Sequence, residues 1–170
     1  MVGRETTQRV EALVSSIETL RLLCEGHHEG LQEFLRVQSD GGIKRSNSVN
    51  FIVAITDMLI NYKQLISDSN IALGNKIFEF FIEIIQGPCF ENQVEICRTK
   101  LLETVEDILI EVASVKTQSK VVAEDGSSTL KSLSESVKSN MIQNMINFML
   151  SLVEGNDDPM IITKLSIHVN

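Results

Sequence analysis

Two adjacent histidines are the side chains best suited to transition-metal chemistry in this sequence. His27 and His28 are flanked by Glu25 and Glu29, so nitrogen and oxygen donors lie side by side. A protein zinc site usually adds a second pair of ligands spaced three or four residues along a helix, and no such pair accompanies these histidines. The pattern therefore favours capping or solvated roles for the histidines over a metal site.

Three cysteines are the remaining candidates for metal or redox chemistry. Cys24, Cys89 and Cys97 are odd in number and lack the Cys-x-x-Cys spacing of redox and zinc sites. Free cysteine is among the most frequently buried residue types. The three are therefore interpreted as small core residues of a protein from a reducing, cytosolic compartment.

Composition and motifs argue against several functional classes. The sequence has no GxxxxGKS/T, GxSxG or HExxH motif and no EF-hand loop, which indicates a protein that is not an enzyme. A net charge of -8 argues against nucleic-acid binding, which depends on clustered lysine and arginine. The apolar stretches 51–55 and 77–85 are shorter than the roughly 18 residues of a membrane span.

Apolar residues recur at three- and four-residue steps through most of the chain, which is the spacing of one helix face. The predicted helices run from Thr7 to Cys24, about Leu31 to Gln38, Asn50 to Ile66, Ile71 to Ile85, Glu91 to Lys116 and Leu130 to Leu152, with a last stub from Pro159. Glycines at 26 and 87 supply stop signals, and exposed loops are predicted at 39–48 and 117–128.

The helix from Ile71 to Ile85 is apolar on almost all sides, which predicts that it forms the core. The methionine-rich stretch 141–149 is also assigned to the core. Only Ile161 to Val169 alternates like a strand, and it is too short to build a sheet. The sequence predicts an all-α fold in a single domain over residues 1–170.

Two architectures suit helices of this length. One is a helical bundle of about six helices, and the other is an armadillo-like helical solenoid fragment. No sequence repeat of roughly 34 to 47 residues is visible, so the sequence leaves both open.

Several short segments carry a more specific signal. They include LLCEGH at 22–27, LQEFLRVQ at 31–38, QGPC at 86–89 with NQ at 92–93, and LSLVEGN at 150–156. In this order they resemble the domain associated with the receptor homology region of ryanodine and inositol-trisphosphate receptors. The resemblance spans about residues 20 to 160, and the ISD segment at 66–68 and LSLVEGN lean towards the ryanodine-receptor branch.

The resemblance implies a cytosolic helical module of a homotetrameric calcium-release channel of the endoplasmic or sarcoplasmic reticulum. In that family, one glutamate in the LLCEGH-like segment and another before QGPC bind the activating calcium ion, and a C-terminal domain adds a further ligand. The matching positions here are Glu25 and Glu83. The resemblance thus implies a partial calcium site coupled to gating, with the other domains of the channel as partners.

Glu25 and Glu83 lie 58 residues apart (83 minus 25), so only tertiary packing could bring them together. Glu83 belongs to the predicted core helix, where burying an unpaired carboxylate is costly. The sequence leaves two interpretations open: Glu83 faces a partner or cation, or it shares one solvated strip with Glu79.

A second hypothesis assigns no calcium role to the chain. It describes a stand-alone, non-catalytic helical scaffold that binds protein partners. The chain contains no pore helices and no C-terminal channel domain that could supply the remaining calcium ligand, so it would not conduct ions alone. Whether it belongs to a full channel or stands alone stays open at this stage.

Overall fold

The computed structural model describes residues 2–67, 70–118 and 135–168, and most of these residues are α-helical. The helices are α1 (Val2–Cys24), α2 (Glu29–Arg36), α3 (Phe51–Tyr62), α4 (Ile71–Ile85), α5 (Phe90–Arg98), α6 (Leu101–Gln118), α7 (Glu135–Val153) and α8 (Pro159–His168). A short 3₁₀ turn, Lys63–Leu65, follows α3. The predicted all-α class is confirmed.

Helix α4 forms the centre of the core, as its apolar sequence predicts. Phe78, Phe80 and Phe81 are fully buried. The ring centroid of Phe148, on α7, lies 6.3 Å from that of Phe78 and 5.9 Å from that of Phe81. Aromatic side chains of this size contribute a large share of the apolar area that a core removes from water.

Helices α1 and α4 run parallel to each other. Glu18 in α1 forms an ion pair with Lys76 near the start of α4. At the other end, His27 beyond α1 lies against Gly87 beyond α4. Contacts therefore advance in the same direction along both helices.

Helix α7 packs on the other side of α4, also in parallel. Gly74 at the start of α4 lies against Met141, and Pro88 beyond its end lies against Gly155. The small Gly74 allows this close approach, since an added Cβ would come within 3.2 Å of the Met141 side chain. The C-terminal ends of α1, α4 and α7 consequently lie at one end of the molecule.

The remaining helices repeat this stacking. Helix α2 packs on α5 and α5 on α8, while α3 packs on α6. The chain thus forms two three-helix units, α1–α3 and α4–α6, followed by the pair α7–α8. Each helix contacts its counterpart in the next unit, which is the arrangement of a solenoid. Of the two predicted architectures, these contacts favour the solenoid over the bundle.

The repeat is marked in the sequence by three glycines that follow the first helix of each unit. Gly26, Gly87 and Gly155 have φ angles of 79, 92 and 64 degrees, the left-handed conformation that ends helices. They are separated by 61 and 68 residues (87 minus 26 and 155 minus 87). These periods are longer than those of common helical repeats, which explains why no repeat was visible in the sequence.

The predicted helix from Glu91 to Lys116 is wrong, because the chain breaks at Thr99 and Lys100 into α5 and α6. The Thr99 hydroxyl donates to the Ile96 carbonyl at 2.7 Å and accepts from the Leu101 backbone N–H at 3.1 Å. One side chain therefore ends α5 and starts α6 without glycine or proline. The described residues contain eight α-helices rather than about six.

Two short segments also differ from expectation. The predicted loop at 39–48 contains a short antiparallel hairpin of two strands, β1 (Ser39–Asp40) and β2 (Ile43–Lys44), with two residues in each strand. The strand-like alternation of Ile161 to Val169 lies in helix α8 as far as His168. The predicted loop 117–128 is wrong at 117 and 118, which belong to α6; its other residues and the predicted helix start at 130–134 lie outside the described residues. Within the described ranges, no helix is long and apolar enough to cross a membrane.

Substituting Gly87 tests whether the stacked turns position the helices. A Cβ at Gly87 would lie 2.5 Å from the Cβ of His27, whereas a Cβ at Gly26 would meet nothing within 4 Å. Gly26→Ala should lower the free energy of unfolding by about 1–2 kcal/mol, because alanine adopts the left-handed conformation poorly. Gly87→Ala should lower it by about 1–3 kcal/mol more, because the turns must also separate. Urea denaturation of both variants measures the difference, and equal losses would contradict the stacking.

Candidate functional site

Three helix-ending turns form one end of the solenoid, here called the C-terminal pole. They are the turns 25–27 after α1, 86–88 after α4 and 154–156 after α7. His27 of the first turn contacts Gly87 of the second, and Pro88 of the second contacts Gly155 of the third. The pole therefore joins the segments LLCEGH, QGPC and LSLVEGN, which are distant in sequence.

The last carbonyl groups of an α-helix have no partner within the helix. At the end of α4, the side-chain amide of Gln32 supplies the missing donors. Its Nε2 donates to the Glu83 carbonyl at 2.7 Å and to the Gln86 carbonyl at 2.8 Å. Gln32 is 1% exposed, so these hydrogen bonds form away from water. Helix α2 thereby holds the end of α4.

The same arrangement recurs one unit later. The Nε2 of Gln93, on α5, donates to the Ser151 carbonyl at 3.1 Å and the Glu154 carbonyl at 3.0 Å at the end of α7. Gln32 and Gln93 are each the fourth residue of the second helix of their unit. The Asn156 side chain donates to Gln93 Oε1 at 2.8 Å and completes the connection.

Asn92 links the two glutamine sites. Its Nδ2 donates to the Gln32 carbonyl at 3.0 Å and the Ile84 carbonyl at 2.9 Å, and its Oδ1 accepts from Arg36 Nε at 2.8 Å. Every buried side-chain nitrogen and oxygen among the described residues has a hydrogen-bond partner. The Asn-Gln pair that follows QGPC is therefore a structural connector of the solenoid.

The two predicted calcium ligands lie beside this pole. Glu83 is partly buried, with its Oε1 3.4 Å from Arg21 Nη1, and Glu25 is exposed in the turn after α1. The pKa of Arg21 is raised, first by its hydrogen bond to Glu18 and also by the charges of Glu83 and Glu25. Both glutamates therefore lie within electrostatic reach of one guanidinium group. Glu83 thus pairs with a cationic side chain, Arg21, while Glu83 and Glu79 both stay partly exposed.

Sequence reasoning missed the ion-pair network that joins α1 to α4. Arg21 donates two hydrogen bonds to Glu18, each at 2.9 Å, and Lys76 Nζ lies 3.1 Å from Glu18 and 2.6 Å from Glu79. The pKa of Glu18 falls to about 2, chiefly because Arg21 donates to its carboxylate. The three-residue spacing of Glu18 and Arg21 is the sequence signal that could have revealed this pair.

Oxygen donors of this kind suit calcium, but these two glutamates alone would not complete a calcium site. A calcium ion takes about six to eight oxygen ligands, and two carboxylates provide at most four. Among the described residues, no group of three or more histidine, cysteine, aspartate or glutamate side chains is arranged to hold a metal ion. The carbonyls of Glu83 and Gln86 already accept from Gln32. Calcium bound at Glu25 and Glu83 would therefore need oxygens from elsewhere.

The histidines and cysteines have structural roles. His28 caps α2, because its Nδ1 accepts from the Leu31 backbone N–H at 3.3 Å. All three cysteines are buried, as predicted. Burial raises the pKa of Cys24 to about 12 and that of Cys97 to about 11, so these thiols are protonated at neutral pH.

Comparison with known proteins shows the family of the chain. Residues 7–109, more than half of the chain, match the family described as "RyR and IP3R Homology associated". The chain belongs to this family. The inositol 1,4,5-trisphosphate receptor itr-1 of Caenorhabditis elegans is 36% identical over 88 residues, which is 48% of this chain and 3% of that receptor.

The RyR and IP3R Homology associated region ends within α6. It contains Glu25 and Glu83 as well as both connector glutamines, Gln32 and Gln93. The third unit, with LSLVEGN, lies beyond it. The family description names both receptor types, so the leaning towards the ryanodine branch stays a prediction.

Replacing a connector glutamine should destabilise the family fold. In Gln93→Leu, the carbonyls of Ser151 and Glu154 lose the side-chain amide that donates to both, and the Asn156 side chain loses its acceptor. The Ser151 carbonyl keeps the Glu154 backbone N–H at 3.3 Å, so the free energy of unfolding should fall by about 1–3 kcal/mol, the cost of removing one buried polar partner. Gln64→Leu, at an exposed position, is the control. Chemical denaturation that gave the two variants equal stability would argue against the connector role.

The Glu18 carboxylate should contribute stability that depends on pH. Its pKa is about 2 in the folded protein against an ordinary value of 4.5, so ionisation favours folding. The contribution is complete above about pH 4.5 and disappears as the pH falls towards 2. Glu18→Gln should thus destabilise the protein at pH 7 and have little effect near pH 2. Thermal melts between pH 2 and pH 7 measure the difference in melting temperature between Glu18→Gln and the unaltered protein, with the exposed Glu11→Gln as control. A difference that did not change with pH would contradict the stabilising role of the Glu18 carboxylate.

Proposed function

We propose that this chain is a helical module of an intracellular calcium-release channel, to which it contributes Glu25 and Glu83 as ligands of the activating calcium ion. The observation that carries the proposal is the contact of Glu83 with Arg21, 3.4 Å apart, beside the end of α1 that Glu25 follows. Family membership and the receptor similar to this chain support it. The module would act on the cytosolic face of the reticulum membrane, within a homotetramer.

The chain's own contacts allow Glu83 to change partners at low cost. Arg21 lies 3.4 Å from Glu83 but forms two hydrogen bonds of 2.9 Å with Glu18. If Glu83 turns away, Arg21 keeps its stronger partner. A bound calcium ion would supply the positive charge that Arg21 otherwise supplies to Glu83. Oxygens from other domains of the channel would complete its coordination.

The backbone of Glu83 is anchored by Gln32, whereas its carboxylate lies 3.4 Å from Arg21, at the long end of the hydrogen-bond range. The Glu83 carbonyl accepts from buried Gln32, so the helix end is held by α2. A change of partner at the Glu83 carboxylate therefore alters the contact between α1 and α4 rather than the end of α4. Coupling to the gate requires that calcium bind one arrangement of these helices more tightly than the other.

Neutralising the glutamates in the full-length channel tests this function. Glu25→Gln and Glu83→Gln should each shift calcium activation to higher concentrations, by about tenfold for a loss of 1.4 kcal/mol in binding. Glu79→Gln is the matched control, since Glu79 lies one turn earlier on α4 and pairs with Lys76. Single-channel recording at stepped calcium concentrations measures the shift. Unchanged activation in both variants, or an equal shift in the control, would refute the assignment.

A protein-binding scaffold is the second candidate, favoured by a groove on the side of the solenoid. The groove has a volume of about 260 Å³ and is lined by residues of α3, of α5 and of the break before α6. Solenoids commonly bind partners along such surfaces. This function predicts a melting temperature that does not change in millimolar calcium and a protein partner recovered by affinity purification.

A further inference from the structure

The repeat predicts what should cover the last unit. In the first two units, the fourth residue of the second helix is a buried glutamine that contacts the first helix of the following unit. In the third unit, the fourth residue of α8 is Ile162, which is 57% exposed. This position thus carries an apolar side chain with nothing stacked on it among the described residues.

Helix α7 also carries exposed apolar side chains, on its outer face, the side that faces away from α4. Three of its exposed apolar residues, Ile146, Leu150 and Val153, are the counterparts, 68 residues later, of Phe78, Ile82 and Ile85 on α4. Phe78 and Ile85 are fully buried and Ile82 is packed against the core. The positions that are covered in the second unit are therefore uncovered in the third.

The outer face of α7 also lacks charge. No aspartate, glutamate, lysine or arginine occurs from 139 to 153, although charged residues make up 22% of the chain. Helices that face water normally carry charges on the solvated side. An uncharged helix surface with Leu150 63% exposed is typical of a face that packs against another protein element.

We infer that Ile146, Leu150, Val153 and Ile162 form a docking surface for one further amphipathic helix of the same channel polypeptide. This docking surface, here also called the end face, lies where the next helix of the α1–α4–α7 stack would pack. Because those three helices are parallel, the docked helix runs parallel to α7. In the first two units the glutamine at this position donates to the terminal carbonyls of the next helix. Ile162 cannot donate such hydrogen bonds, so the docked helix contacts Ile162 with an apolar side chain instead. The inference rests on the proposed function for the source of the helix, and on the repeat for its position and direction.

Photo-crosslinking in the cells that make the protein tests the docking surface. A photoreactive phenylalanine analogue replaces Leu150 in one variant and Leu65 in the other. Leu65 is the matched control, since it is 67% exposed but lies in the 3₁₀ turn after α3, away from the end face. Circular dichroism of the purified chains carrying Leu150→Asp and Leu65→Asp verifies that surface changes at both positions leave the fold intact.

The expected result is a several-fold higher crosslink yield at position 150, with the crosslinked peptide from a helix of the same polypeptide outside residues 2–168. A crosslink from position 150 to α1 of a second copy would overturn the inference in favour of self-association. Equal yields at the two positions would overturn the docking surface itself. The size of the polypeptide that carries the crosslinker separately reports the proposed function, since a free chain of 19.0 kDa would contradict a channel module.

Discussion

At the ends of α4 and α7, where carbonyl oxygens lack the donors of a further helical turn, two glutamines from neighbouring helices donate side-chain hydrogen bonds to them. Gln32 and Gln93 each bridge two carbonyls, and Asn92 connects the two sites. Buried polar groups without partners would be costly, so these amides fix where each helix ends relative to the next unit. The parallel stacking of α1, α4 and α7 and the contacts between their turns depend on this arrangement.

This constraint also explains why the candidate site lies where it does. Because the end of α4 is held beside the end of α1, Glu83 lies 3.4 Å from Arg21. The charge of Glu25 also acts on Arg21 and raises its pKa. The network of Glu18, Arg21, Lys76 and Glu79 then compensates the charges that face each other between the two helices. The segments that carry the family resemblance thus join the units at one end of the molecule, and they also position the carboxylates of Glu25 and Glu83.

Much of the fold could be predicted from local signals. The bounds of α4 at Ile71 and Ile85, the stop at Gly26 and the start of α3 after Asn50 all follow from periodicity, capping and glycine conformation. The break at Thr99 could not be predicted, because a single hydroxyl group makes both caps and the apolar spacing runs through it. The repeat was also hidden, because its units share few residues beyond the glycine after each first helix and, in the first two units, the glutamine of the second helix.

The sequence by itself determined which segments are helical, which of them is the core, and which family the chain resembles, because these depend on residues close together along the chain. Only the tertiary structure decided that the helices stack as a solenoid, that Gln32 and Gln93 are connectors, and that Glu83 pairs with Arg21. These contacts join residues 51 to 62 positions apart, and they form only where packing excludes water and leaves one donor within reach of one acceptor.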